Sequence, residues 1–143
     1  MKIRHESSVR GITSILVVAM AILAAPVTSF SQSMNEAGNP CSGPGTTVDT
    51  YRCFAKALKV EDRKLNELYA RILKVLEPHE RDALIKAERL WVQYRDATCD
   101  AEYALYGGGT GGPPTNVACQ VAETSARRQS LSRSFGWIIE KRD

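Results

Sequence analysis

The chain has 143 residues, with 19 lysine and arginine against 16 aspartate and glutamate for a formal charge of +3. Residues 1–31 carry three of those bases and one of the acids, so the remainder is nearly neutral at +1. That balance gives no argument for a nucleic-acid partner, and the roughly 112 residues after position 31 suit one domain rather than two.

The amino terminus predicts export. Lys2, Arg4 and Arg10 form a basic start, and Ile12 to Ala25 is an apolar run of the length used in secretory signals, too short for a membrane-spanning helix. Small residues at Ser29 and Ser31 place the cleavage before Gln32, whereas a cut after Ala25 would leave Pro26 immediately downstream. The expected arrangement is a signal peptide over residues 1–31 and one domain over 32–143, periplasmic or secreted, with no stable membrane span once the signal is removed. All four cysteines, Cys41, Cys53, Cys99 and Cys119, lie in that domain. An even count in an oxidising compartment favours two disulfides. No pair has the close C-x-x-C spacing of a metal knuckle, and neither a metal nor a cofactor is expected.

Three helical stretches follow. Thr46 or Thr47 caps the first, which runs to about Leu76 with Phe54, Leu58, Leu65, Leu68, Tyr69, Ile72 and Leu76 recurring at steps of three and four. Pro78 disfavours helical geometry at Glu77 and suits a first turn, so a second helix is predicted from there to about Tyr106, through Leu84, Trp91 and Tyr94. Gly107 to Pro114, "GGGTGGPP", reads as a loop. A third helix then places Val117, Val121, Thr124, Leu131, Phe135 and Ile138 on one face.

The first two helices would each be roughly 40 Å long at about 1.5 Å per residue, and their short connection predicts antiparallel neighbours. The expected fold is therefore all-α: a three-helix antiparallel up-down-up bundle stapled by two disulfides. In it Cys53, Cys99 and Cys119 meet at one pole, which Cys41 can also reach. Several pairings satisfy that geometry; Cys41 with Cys53 and Cys99 with Cys119 is the favoured one.

Arg95 and Asp96, adjacent inside "WVQYRDATC", are unusual charges for a helix that must pack on two neighbours. On helical spacing they point differently, and partners are available on both sides: Asp62, Asn66 and Tyr69 on the first helix, Thr124 and Arg127 on the third. With Trp91 and Tyr94 these residues predict a paired polar cluster near the cysteine pole that sets helix register, since an unpaired buried charge is costly.

These same residues closely resemble the LprI-like lysozyme-inhibitor domain family. The resemblance rests on "LNELY" at Leu65 to Tyr69 preceded by Asp62, "AERLWVQYRDATC" at Ala87 to Cys99, the glycine-rich loop, Cys119, and "TSARRQSL" at Thr124 to Leu131. The W-x-x-Y-R-D-x-x-C run, joined to D-x-x-L-N-x-x-Y upstream and C-x(4)-T-x-x-R-x-x-x-L downstream, is its specific core. It implies an exported, disulfide-bonded bacterial helical domain whose named member inhibits lysozyme. Glu88 stands where that pattern often has glutamine, at a position expected to be exposed.

The residues themselves give little support to an enzyme. Beyond residue 31 the one histidine, His79, lies beside Pro78 in an interhelical turn, away from any candidate nucleophile. Asp62 and Asp96 could approach each other, but their arginine and asparagine neighbours fit an ion-pair network better than acid–base work. The expected activity is non-enzymatic: inhibition of lysozyme or another wall-degrading enzyme, the alternative being an envelope structural or binding module. A lysozyme cleft holds two carboxylates in different protonation states, and blocking it takes a narrow protruding element. Gly107, Gly108, Gly109, Thr110, Gly111 and Gly112 form the candidate inhibitory loop. Lysozymes of the animal type are strongly basic, so an inhibitor gains from an acidic face, which a nearly neutral chain does not advertise.

Overall fold

The computed structural model describes residues 33–35, 38–43 and 45–142; the predicted signal peptide lies outside them. The first helix, α1 (Thr47–Val75), begins at a reciprocal cap: the Asp49 N–H donates to the Thr46 hydroxyl at 3.2 Å and the Thr46 N–H to the Asp49 carboxylate at 3.1 Å. The Thr46 hydroxyl, donating to that carboxylate at 2.7 Å, and after it the Thr46 N–H hold the Asp49 carboxyl below its ordinary pKa. The helix stops where Pro78 forces Glu77 into extended geometry. Its exposed carbonyl end is covered by two arginines. Arg81 Nε donates to the Leu76 carbonyl at 2.7 Å and Arg142 Nη1 to that of Val75 at 3.0 Å, placing positive charge at the negative end of the helix dipole.

The second helix, α2 (Pro78–Ala104), ends slightly short of the expected boundary, passing through tight turns into Gly107 and Gly108, whose φ values of 54° and 82° are left-handed. The third, α3 (Gly112–Arg142), begins earlier than expected. Pro113 and Pro114 belong to its first turn, because a first-turn residue has no intrahelical acceptor for an N–H and proline's fixed φ is already helical. Gly112 is thus a buried helical residue rather than part of the loop.

The chain forms an up-down-up bundle with α3 at its centre. Both α1, running parallel to it, and α2, running antiparallel, pack along α3. Contrary to the expectation of α1 and α2 as close neighbours, these two hardly approach each other. Their apolar residues converge on α3 instead. Ile72 and Leu131 are fully buried, joined by Leu65, Leu76, Leu84, Ile138 and Ile139 in one cluster at the pole of the α1–α2 turn. Among the described residues the opposite pole has only a small cluster of Cys41, Phe54 and Ala118, flanked by Met34 and Val121.

At that thinly packed pole sit both disulfides, in the favoured pairing. Cys41–Cys53 ties the segment ahead of α1 to that helix and Cys99–Cys119 ties α2 to α3, with Cα separations of 5.7 and 5.5 Å. The described residues of that segment make contacts of their own: a 3-10 turn, Ser33–Asn35, lies against α3, Asn39 accepts from the Cys41 N–H at 2.7 Å, and its amide donates to the Met34 carbonyl. Covalent links take over where apolar area runs short.

Candidate functional site

Trp91, half-buried against the apolar cluster, lies between two arginines: the guanidinium carbons of Arg95 and Arg127 are 5.2 and 5.8 Å from its ring centroid. Both distances fall in the range of cation–π attraction. The two arginines then part company. Arg95 binds Asp96 on its own helix at 2.9 Å and reaches Asp62 of α1 at 3.7 Å. Arg127 of α3 makes a two-pronged contact with Glu88 of α2, at 2.9 and 2.8 Å, in a site where both side chains are less than one-fifth exposed. A third pair, Arg128 to Glu61 at 3.1 Å, links α3 to α1. Burial would raise the Glu61 pKa, but the hydrogen bonds and charges of Lys64 and Arg128 outweigh it and hold it below the ordinary value. Each pair of helices is thus joined by an ion pair, and the longest one spans α1 and α2, the two helices that hardly meet.

The predicted cluster is therefore real in part and differs in its wiring. Asp62, Trp91, Arg95 and Asp96 come together as expected, with Asp96 turned back onto Arg95 rather than out to a third helix. Arg127 joins through Trp91 and takes Glu88 as its carboxylate. Glu88, expected on an exposed position, is the main correction: it faces α3 because a residue three before Trp91 shares Trp91's inward side. Tyr69 is half-buried against the same cluster; burial, and after it the charge of Glu88, pushes its hydroxyl pKa up. Asn66 and Tyr94 face solvent and stand outside the cluster. Thr124 is fully buried, but its hydroxyl meets no hydrogen-bond partner among the described residues, so it is not a partner for either charge.

The cysteine pole carries the surface features. The loop between α2 and α3 narrows to Gly107–Gly111, with Thr110 exposed on it. Its C-terminal side is packed on nearby tyrosines: a β-carbon at Gly111 would stand 2.8 Å from the Tyr106 ring, and one at Gly112 2.8 Å from the Tyr103 ring. Those glycines make room for tyrosines, a requirement that their number in the sequence did not express. Beside the loop, α1 and α2 leave a groove of about 580 Å³, walled by Tyr51, Asp62, Asp100 and Tyr103 and floored by α3. No cue in the sequence joined Asp100 or Tyr51 to the site, because the groove exists only once two helices diverge. Glu102, on the same stretch of α2, has its pKa raised by burial, with the Ser33 backbone N–H opposing that shift.

Fold and site define a disulfide-stapled three-helix domain with a tryptophan contacted by two ion-paired arginines and a grooved, covalently braced pole. The chain belongs to the LprI family: the family model described as "Lysozyme inhibitor LprI" matches residues 39–131. The match covers both disulfides, the tryptophan–arginine cluster and the loop. None of the curated proteins and none of the solved structures matches the chain.

Proposed function

We propose that this protein is exported to the periplasm or beyond and there inhibits a lysozyme-type, wall-degrading enzyme by binding it rather than by chemistry. Membership of the LprI family carries this reading. Two features of the molecule support it. All four cysteines are paired, which fits an oxidising compartment outside the cytoplasm. The carboxylates that could have served as an acid–base pair, Asp62 and Asp96, both turn to Arg95, and His79 is exposed beside the α1–α2 turn. The loop Gly107–Gly111 is the narrow element offered to the enzyme's cleft, held at its base by the Cys99–Cys119 bridge.

The test is to titrate the purified protein into lysozyme acting on cell walls. Saturable inhibition is expected near a one-to-one ratio, and Thr110→Glu, which adds bulk and sets a like charge against the ionised carboxylate of the cleft, should abolish it without lowering the thermal midpoint. Undiminished wall lysis at large excess of the unsubstituted protein would sink the inhibitor reading and leave an envelope-binding or structural module in its place.

A further inference from the structure

Resting on that reading, we propose that the groove between α1 and α2 is an anchoring site for a cationic side chain, arginine or lysine, on the surface of the inhibited enzyme. The groove is open because α1 and α2 pack on α3 rather than on each other. Its walls offer two partly exposed aromatic rings: Tyr51 is 42 % exposed and Tyr103 38 %. Tyrosine rings flanking a carboxylate suit a guanidinium, which stacks on the one and bonds the other.

Asp100 is the carboxylate available for such a partner. Asp100 takes one amide hydrogen bond, from Asn116 at 3.2 Å, and no ion pair among the described residues involves it. Asp62 has Arg95 at 3.7 Å, but Arg95 is held more closely by Asp96 at 2.9 Å. Among the described residues Lys59 is the one cation lining the groove. Asp100 directly follows Cys99, which is fully buried and bridged to α3, so its backbone is fixed before a partner arrives. Preorganisation of this kind lowers the ordering cost of binding.

Continuity with the inhibitory loop strengthens the assignment. Tyr51 and Pro113 line the groove and also a second depression of about 560 Å³, which extends through Val48 to Thr110. An enzyme whose cleft receives the loop would thus lay the rim of that cleft across an apolar patch and onto the acidic groove. The near-neutrality of the whole chain does not decide the matter, since Asp100 stands at the contact surface with no ion pair among the described residues. Charge complementarity is needed only where the surfaces touch.

Binding of the purified protein to a basic, animal-type lysozyme, measured at low and at raised salt, tests the site. Asp100→Asn, which keeps the Asn116 contact possible, should weaken binding about tenfold at low salt and flatten its salt dependence, while Lys59→Ala should tighten it by about threefold. Thermal midpoints of both variants establish that they fold, and Lys59→Ala, an exposed change on α1, decides the matter even if Asp100→Asn proves unstable. Binding by the unsubstituted protein that neither change moves by more than twofold would overturn the groove and leave inhibition standing. No binding by the unsubstituted protein would overturn both.

Discussion

Thr124 is fully buried, and its hydroxyl meets no hydrogen-bond partner among the described residues. Leaving a polar group dry and unpaired costs about 1–3 kcal/mol, so Thr124→Val, which keeps the shape, should raise stability by about 1 kcal/mol in a denaturant titration; a loss would mean that the hydroxyl is satisfied in solution. The two arginines around Trp91 should respond unequally to removal of their partners. Glu88→Ala strands Arg127 in a site less than one-fifth exposed on both sides and should cost about 2–3 kcal/mol, whereas Glu88→Gln retains an acceptor and should cost under about 1 kcal/mol. Arg95→Ala leaves Asp62 and Asp96 about half exposed, so water takes up their charge and the expected loss, about 1 kcal/mol, is mainly that of the cation–π contact and packing. Equal costs for Glu88→Ala and Glu88→Gln would contradict the two-pronged bond.

At the scale of elements, the helices are set by their ends. The Thr46–Asp49 cap predicts that Thr46→Ala lowers stability by about 1 kcal/mol, read from the urea midpoint. The loop makes a sharper prediction. Gly107 and Gly108 hold left-handed φ values, where a β-carbon costs roughly 1–2 kcal/mol, while Gly43 has ordinary φ and open space around it. Gly108→Ala should therefore destabilise by about 1 kcal/mol and Gly43→Ala should not. A serine–alanine linker across the whole loop would thus strain the fold as well as alter any contact surface, and Thr110 is the position at which to probe function alone.

For the molecule as a whole, the apolar cluster at one pole and the disulfides at the other divide the stabilisation. The bridges close sequence separations of 12 and 20 residues, and each should contribute about 3 kcal/mol by restricting the unfolded chain. Reduction should lower the thermal midpoint substantially while circular dichroism still reports helix at low temperature, because the cluster around Ile72 and Leu131 does not depend on the cysteines. An unchanged midpoint would deny the staples their role. Acid should also destabilise the protein. Asp49, Glu61 and Glu80 have folded pKa values below their ordinary 3.8, 4.5 and 4.5, so the stability they confer is present above those values and lost as pH falls through the depressed folded ones. Glu102 has the opposite sign: its raised pKa gives a contribution present below 4.5 and lost as pH rises through the folded value. Three against one predicts a net fall in midpoint below about pH 4.5, and a midpoint that rises there would make burial of Glu102 the governing effect.

Helix spans, the turn at Pro78 and the gathering of four cysteines at one pole were legible in residue order, because periodicity, caps and proline act over a few neighbouring residues. The specific motif run also marked Trp91, Arg95 and Asp62 as belonging together. Which charge meets which was a different kind of question. Glu88 and Glu61 became the partners of Arg127 and Arg128 through the rotation and register of whole helices, which depend on how three apolar stripes share one core. In the same way the groove beside Tyr51 and Asp100 follows from α3 taking the central place, since two helices that each turn their buried stripe to a third do not close on one another.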